Sequence, residues 1–193
     1  MIEKVAKQLF DTQCRCGMLD EKVRNLYEYA YNLLICRVIV YLLIVVLGIC
    51  LGSLKEIIVF LLAFIPLRQY AGGIHLEKTE KCIVVSGVLV CVVGIYLREV
   101  SVPTFATFLL WIVAMGCIFS LSPVGCRNKK LDLIERMVYK KRLRILLWIE
   151  CLIICLTFMI GYSWVSKGMM LAHIILSISL ILGYFKEIFL PKS

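Results

Sequence analysis

The residues with the most chemistry in this 193-residue chain lie in one stretch, Arg68-Gln69-Tyr70-Ala71-Gly72-Gly73-Ile74-His75-Leu76-Glu77-Lys78-Thr79-Glu80-Lys81-Cys82. It holds a glycine pair, a histidine and, seven residues later, a cysteine at the mouth of a long apolar run. A thiol becomes a useful nucleophile when a base or cationic neighbour raises its thiolate fraction, and an imidazole within hydrogen-bond reach supplies both. On one straight helix His75 and Cys82 would share a face but stand about 10.5 Å apart along the axis, too far for a hydrogen bond. The chain is therefore expected to bend between them, with His75 in a glycine-loosened loop and Cys82 in the first turn of the next helix, where the helix dipole favours a thiolate. The spacing alone fits a structural histidine and cysteine as well as a catalytic pair. No metal site is expected, since His173 lies in the last apolar segment, where it reads as a core residue, and no Cys-x2-Cys pair occurs.

The neighbours of this pair carry two readings each. Backbone N–H groups at Gly72 and Gly73, or at the start of the Cys82 helix, could stabilise an oxyanion, or the glycines serve only a tight turn. Arg68 could bind a substrate carboxylate in bidentate fashion or anchor a helix end among lipid headgroups. Gln69, Glu77, Thr79 and Glu80 are all near enough in sequence to orient His75, and none is singled out.

The elements that must hold these residues follow from composition. Apolar residues make up 62% of the chain and charged residues 18%, with a mean hydropathy of +0.94; a soluble domain averages about 45–50% apolar. The charges cluster between uncharged runs at Val38–Leu54, Ile57–Leu67, Cys82–Leu97, Val100–Cys126, Cys151–Ser166 and Gly168–Phe185. The pattern predicts one all-α domain over residues 1–193, a polytopic bundle of six membrane segments with an N-terminal amphipathic helix. The second segment is short, or re-entrant and ending at Pro66. Ile2, Val5, Ala6, Leu9 and Phe10 recur at helical spacing, either on the membrane surface or packed on protein. Six of the ten cysteines (Cys36, Cys50, Cys91, Cys117, Cys151 and Cys155) lie in apolar runs and read as packing residues. The pair Cys14 and Cys16 reads as reduced, ordinary thiols. Arg37, inside the first apolar run, should face protein or reach outward.

The net charge of +9 gains meaning from position. With both ends cytoplasmic, residues 1–30, the 68–81 loop, the 127–144 loop and the tail carry 18 Lys and Arg, against 3 in the outside loops near Lys55, Arg98 and Lys167. That bias places His75 on the cytoplasmic side of a cell membrane, and the basicity requires no nucleic acid. The 127–144 loop holds eight basic residues, among them Lys129, Lys130, Arg136, Lys140 and Lys141. It could hold an acidic peptide segment or contact anionic lipid headgroups.

The run Arg68-x3-Gly72-Gly73-x-His75-x6-Cys82, followed by Ser122-Pro123-Val124, Asn128-Lys129-Lys130-Leu131 and the charged run from Glu135 to Arg144, resembles the accessory gene regulator B (AgrB) family. These are membrane peptidases of peptide quorum sensing, and the resemblance runs the length of the chain in order. Leu76 departs from the small residue expected after the histidine. The resemblance implies a cysteine endopeptidase acting on a short AgrD-like propeptide, with Cys82 as nucleophile and His75 as its base. The signal core would pass through a thioester on Cys82 and close into a thiolactone or lactone. It also implies self-association, and it involves no cofactor. A transporter or export component without chemistry is the rival reading; it explains the hydrophobicity but gives no reason for Gly-Gly-x-His-x6-Cys on a polar loop.

Overall fold

A computed structural model of the chain describes residues 2–73, 79–100, 105–123 and 132–189. The described residues form seven α-helices and no strand: α1 (Ile2–Arg15), α2 (Arg24–Leu51), α3 (Leu54–Ala71), α4 (Thr79–Glu99), α5 (Phe105–Leu121), α6 (Leu133–Ile160) and α7 (Ser163–Phe189), with a 3-10 turn at Glu21–Val23. Three of them, over Glu21–Leu51, Leu133–Ile160 and Ser163–Phe185, are long and apolar enough to cross a membrane, and α5 is a shorter apolar helix. The chain divides into two compact units, one of Met1–Leu47 with Leu76–Cys91 and one of Gly48–His75 with Val92–Ser193.

In the first unit, α1 is amphipathic and packs on protein, because Ala6 and Phe10 are fully buried. Its end is set by Gly17, whose φ of 69° is a left-handed conformation that glycine adopts without strain. Arg24 then ties the turn together. Its guanidinium reaches Asp11 at 3.0 Å, Glu21 at 2.7 Å and Glu28 at 3.1 Å, and lies 4.7 Å over the Phe10 ring. The Tyr31 hydroxyl donates to Gln13 Oε1, a second tie between α1 and α2. Val5 and Leu9 remain 42% exposed, so part of the apolar stripe is left open beside the packed face. Arg37 is exposed on α2.

The second unit is built around α7, where Met170, Ala172, His173, Leu176 and Leu180 are all fully buried. α7 packs on α3, α5 and α6, and α3 also packs on α6. Gly168 permits the α3–α7 crossing: a Cβ there would lie 3.3 Å from the Glu56 carbonyl oxygen and from Val59 Cγ1. α6 starts on a capping box, with Asp132 accepting from Leu133 N at 2.7 Å and Glu135 accepting from Asp132 N, which ties up N–H groups that have no partner within the helix. It stops at Gly161, in the left-handed region.

Three expectations are revised. α3 does not end at Pro66 but continues to Ala71, so the second segment has 18 residues, about 27 Å of helix. Lys167 is not in a loop. It lies in the second turn of α7, 3% exposed, where its ammonium donates to the carbonyls of Leu97 and Val100 at the end of α4. Those carbonyls have no partner within the helix, and a cation there also meets the negative end of the helix dipole. Among the cysteines of the apolar runs, Cys36 is buried but Cys50 and Cys155 are exposed, facing outward from their helices and not packing the interior.

Candidate functional site

The polar stretch begins where α3 ends. Gly72 caps the helix, its N–H donating to the Arg68 carbonyl at 3.0 Å, and Gly72 and Gly73 have φ values of 81° and 131°. Side chains at such φ are strained, so both glycines are required by the backbone. Gly73 is also required by its surroundings, since a Cβ there would stand 2.7 Å from Ser179 Oγ on α7. The turn reading of these glycines thus has direct support in the backbone.

Arg68, one turn back, lies in the last turn of α3. Its Nη1 donates to Ser179 Oγ at 3.0 Å, and its guanidinium carbon lies 5.6 Å from the Phe64 ring centre. Arg68 is thus engaged with α7 and with its own helix. Tyr70 stands edge-on to Tyr139 of α6 with ring centres 5.8 Å apart, and Arg142 lies 5.9 Å from the Tyr70 ring. At this end of the second unit, α3 is therefore fastened to both α6 and α7.

His75 and Glu77 lie outside the described residues, as do Lys129 and Lys130. Cys82 falls in the first turn of α4, which begins at Thr79; its side chain lies outside the described residues. Arg136, Lys140 and Lys141 lie on α6 itself, because the basic segment is helical from Leu133 onward, with Arg136 and Lys141 exposed and Lys140 half-buried. No group of three or more metal-ligating side chains occurs among the described residues.

The structure adds residues that the spacing of motifs did not single out. Ser179 is one. Glu150 and Trp111 are two more: His173, fully buried, accepts from Trp111 Nε1 at 2.8 Å through Nδ1 and meets Glu150 Oε2 at 2.9 Å through Nε2. This polar chain links α5, α7 and α6 and satisfies groups that would be costly in a membrane interior. A lone carboxylate inside an apolar run was the available signal for Glu150. Nothing in the sequence marks Ser179, which reads as a small residue in an apolar helix.

An all-helical membrane protein, with a glycine turn leading from one helix toward a cysteine at the start of the next, is the class defined by this fold and stretch. The family model described as AgrB: Accessory gene regulator B matches residues 2–189. The chain belongs to the AgrB family, and with it to accessory gene regulation and quorum sensing. It is 25% identical over 182 residues to a "Putative AgrB-like protein" of Clostridium perfringens (strain SM101 / Type A), covering 88% of this chain and 85% of that one. It is also 25% identical over 186 residues to "Putative AgrB-like protein 2" of Clostridium perfringens (strain 13 / Type A), covering 90% and 86%. No solved structure matches the chain.

Proposed function

We propose that the protein is a membrane-embedded cysteine endopeptidase that removes the C-terminal tail of an AgrD-type quorum-sensing propeptide and promotes cyclisation of the remaining signal core. The observation that carries this reading is the family match over residues 2–189 together with the run Gly72-Gly73-x-His75-x6-Cys82.

In this reading His75 takes the Cys82 thiol proton, and the thiolate attacks the carbonyl of the peptide bond between core and tail. The C–N bond breaks, the tail amine leaves with the proton from His75, and the core remains as a thioester on Cys82. An internal thiol or hydroxyl of the core then attacks the thioester carbonyl. Its proton passes through His75 to the departing Cys82 sulfur, and the ring closes as a thiolactone or lactone. A thioester is a higher-energy acyl link than an amide, so removal of the tail peptide draws the first step forward. Water must be kept from the thioester until the internal nucleophile arrives, which a site at the membrane boundary favours.

Both termini and the catalytic stretch lie on the cytoplasmic side of the cell membrane in this proposal, in keeping with the 18 against 3 distribution of Lys and Arg. Lys129, Lys130, Arg136, Lys140 and Lys141 would receive the acidic tail of the propeptide or anionic headgroups, Arg68 is a further candidate for substrate contact, and the enzyme works as a homodimer. The test is co-expression of Cys82→Ala and His75→Ala variants with the propeptide, reading the released tail by mass spectrometry. Both variants are expected to release none; tail release at the wild-type rate by either one overturns the dyad.

A further inference from the structure

We propose that the outward face of α6 binds an anionic phospholipid, with Arg144 and Lys141 on its phosphate and Trp148 beneath them; the proposal does not depend on the His75–Cys82 reading. Lys141, Arg144, Trp148, Leu152 and Met159 follow one another at helical spacing along α6, and all five are exposed. The opposite face, with Leu143, Leu147, Glu150 and Ile154, is the buried one, so the exposed face is turned away from the packed helices. Its chemistry changes in order along the axis: two cations, then an indole, then apolar side chains. That is the order of a bilayer leaflet from headgroup to acyl chain.

The donors on this face are uncommitted. Among the described residues Arg144 has no hydrogen-bond acceptor and no carboxylate partner; its guanidinium carbon lies 5.8 Å from the ring centre of Phe119 on α5, a contact with a ring that leaves the N–H fork free. The Lys141 ammonium and the Trp148 indole N–H likewise have no acceptor among the described residues. From Arg136 to Ile149 the chain has five basic residues and no acidic one, so the field at this end of α6 is positive. A guanidinium grips a phosphate through two parallel N–H bonds, and a lysine beside it adds a point charge. Trp148 lies one turn below Arg144, the reach from a phosphate to the glycerol esters, where its N–H donates to an ester oxygen. An acidic peptide suits the cations equally well but not what lies below them. Past Trp148 its backbone N–H and C=O groups would meet only apolar side chains, and unpaired backbone groups are costly there. A phospholipid carries no such groups below its esters.

The test uses the full chain in liposomes and the fluorescence of Trp148, taken as the difference from Trp148→Phe. The quencher is brominated phosphatidylglycerol diluted in plain phosphatidylcholine, or brominated phosphatidylcholine at the same fraction. Quenching by the phosphatidylglycerol is expected to exceed quenching by the phosphatidylcholine. Arg144→Gln should cut that preference about fivefold, the scale of one basic residue at an anionic surface. Lys141→Gln should cut it by a similar factor, and Arg144→Lys should keep most of it. Circular dichroism checks the fold of each variant; should Arg144→Gln fold poorly, Lys141→Gln carries the comparison. Equal quenching by the two lipids in the wild-type protein overturns the proposal, since lipid then touches the face without selection. A preference unchanged in both glutamine variants overturns it too, because other charges then gather the anionic lipid. Recovery of Trp148 fluorescence on adding a hexaglutamate peptide would assign the face to an acidic peptide and overturn it as well.

Discussion

Trp111 and His173 are joined by a 2.8 Å hydrogen bond in which the indole Nε1–H donates to Nδ1 of the imidazole. An indole nitrogen only donates, so Nδ1 is the acceptor and the ring proton sits on Nε2. Nε2 in turn faces Glu150 Oε2 at 2.9 Å, and each polar atom in the row has the complement it requires. The tautomer of a fully buried histidine is therefore set by its neighbours on α5 and α6.

Trp111→Phe keeps the ring contact but removes the donor, leaving Nδ1 unpaired. The expected loss is about 1–3 kcal/mol of unfolding free energy. Glu150→Gln retains an acceptor for Nε2–H and should stay within about 1 kcal/mol of wild type. Unfolding in detergent compares them, and equal stability of Trp111→Phe and wild type would show that the indole contributes by packing alone.

Lys167→Met preserves the side chain's length and removes both hydrogen bonds to Leu97 and Val100. Hydrogen bonds to charged groups are worth about 1.5–3 kcal/mol each, and desolvation of the ammonium offsets part of this. The expected result is a lower unfolding midpoint together with faster hydrogen exchange in the last turn of α4. Unchanged exchange there would sink the assignment of Lys167 as the cap of α4.

The burial of Lys167 also decides where to probe topology. A cysteine at 167 would be shielded, whereas Tyr162, in the connection between α6 and α7, is 55% exposed. In intact cells a membrane-impermeant maleimide is expected to label Tyr162→Cys and to spare Lys78→Cys. Labelling of position 78 would contradict the cytoplasmic placement proposed for the catalytic stretch.

Cys14 has a raised pKa, first through partial desolvation and then through the Glu21 carboxylate that accepts from its thiol at 3.5 Å. A raised thiol pKa means less thiolate at a given pH. Cys14 should therefore alkylate more slowly than an unperturbed cysteine at pH 8 and gain rate at higher pH, and Glu21→Gln should speed it. A rate unaffected by Glu21→Gln would rule out the carboxylate as a cause.

Much of the scaffold was legible because it follows from local pattern. The α1 stripe from Ile2 to Phe10 states its own period, and the long apolar runs mark where α2 and α7 lie, although α2 begins well before its run, at Arg24, and α7 at Ser163. What escaped depends on partners remote in sequence. Lys167 sits beside a charge-poor connection and looks like a loop residue until the carbonyls of Leu97 and Val100 are brought to it. Pro66 is a fair sign of a helix end, yet α3 runs past it. The apolar run of α7 does not say that Ser179 will meet Arg68 or that His173 will meet Trp111. His75 and Cys82 are singled out by residue type, spacing and the family resemblance, and His75 and the Cys82 side chain lie outside the described residues.

The two ties made by α7 limit how the chain can be recombined with its relatives. Lys167 holds the end of α4 and Ser179 the end of α3, some 18 Å apart along one helix at about 1.5 Å per residue. A one-residue insertion or deletion between them would turn one tie by about 100° relative to the other. Hybrids should therefore take α7 and the ends of α3 and α4 from one parent, because a single junction at the Gly161–Tyr162 connection would part Lys167 and Ser179 from the groups they hold.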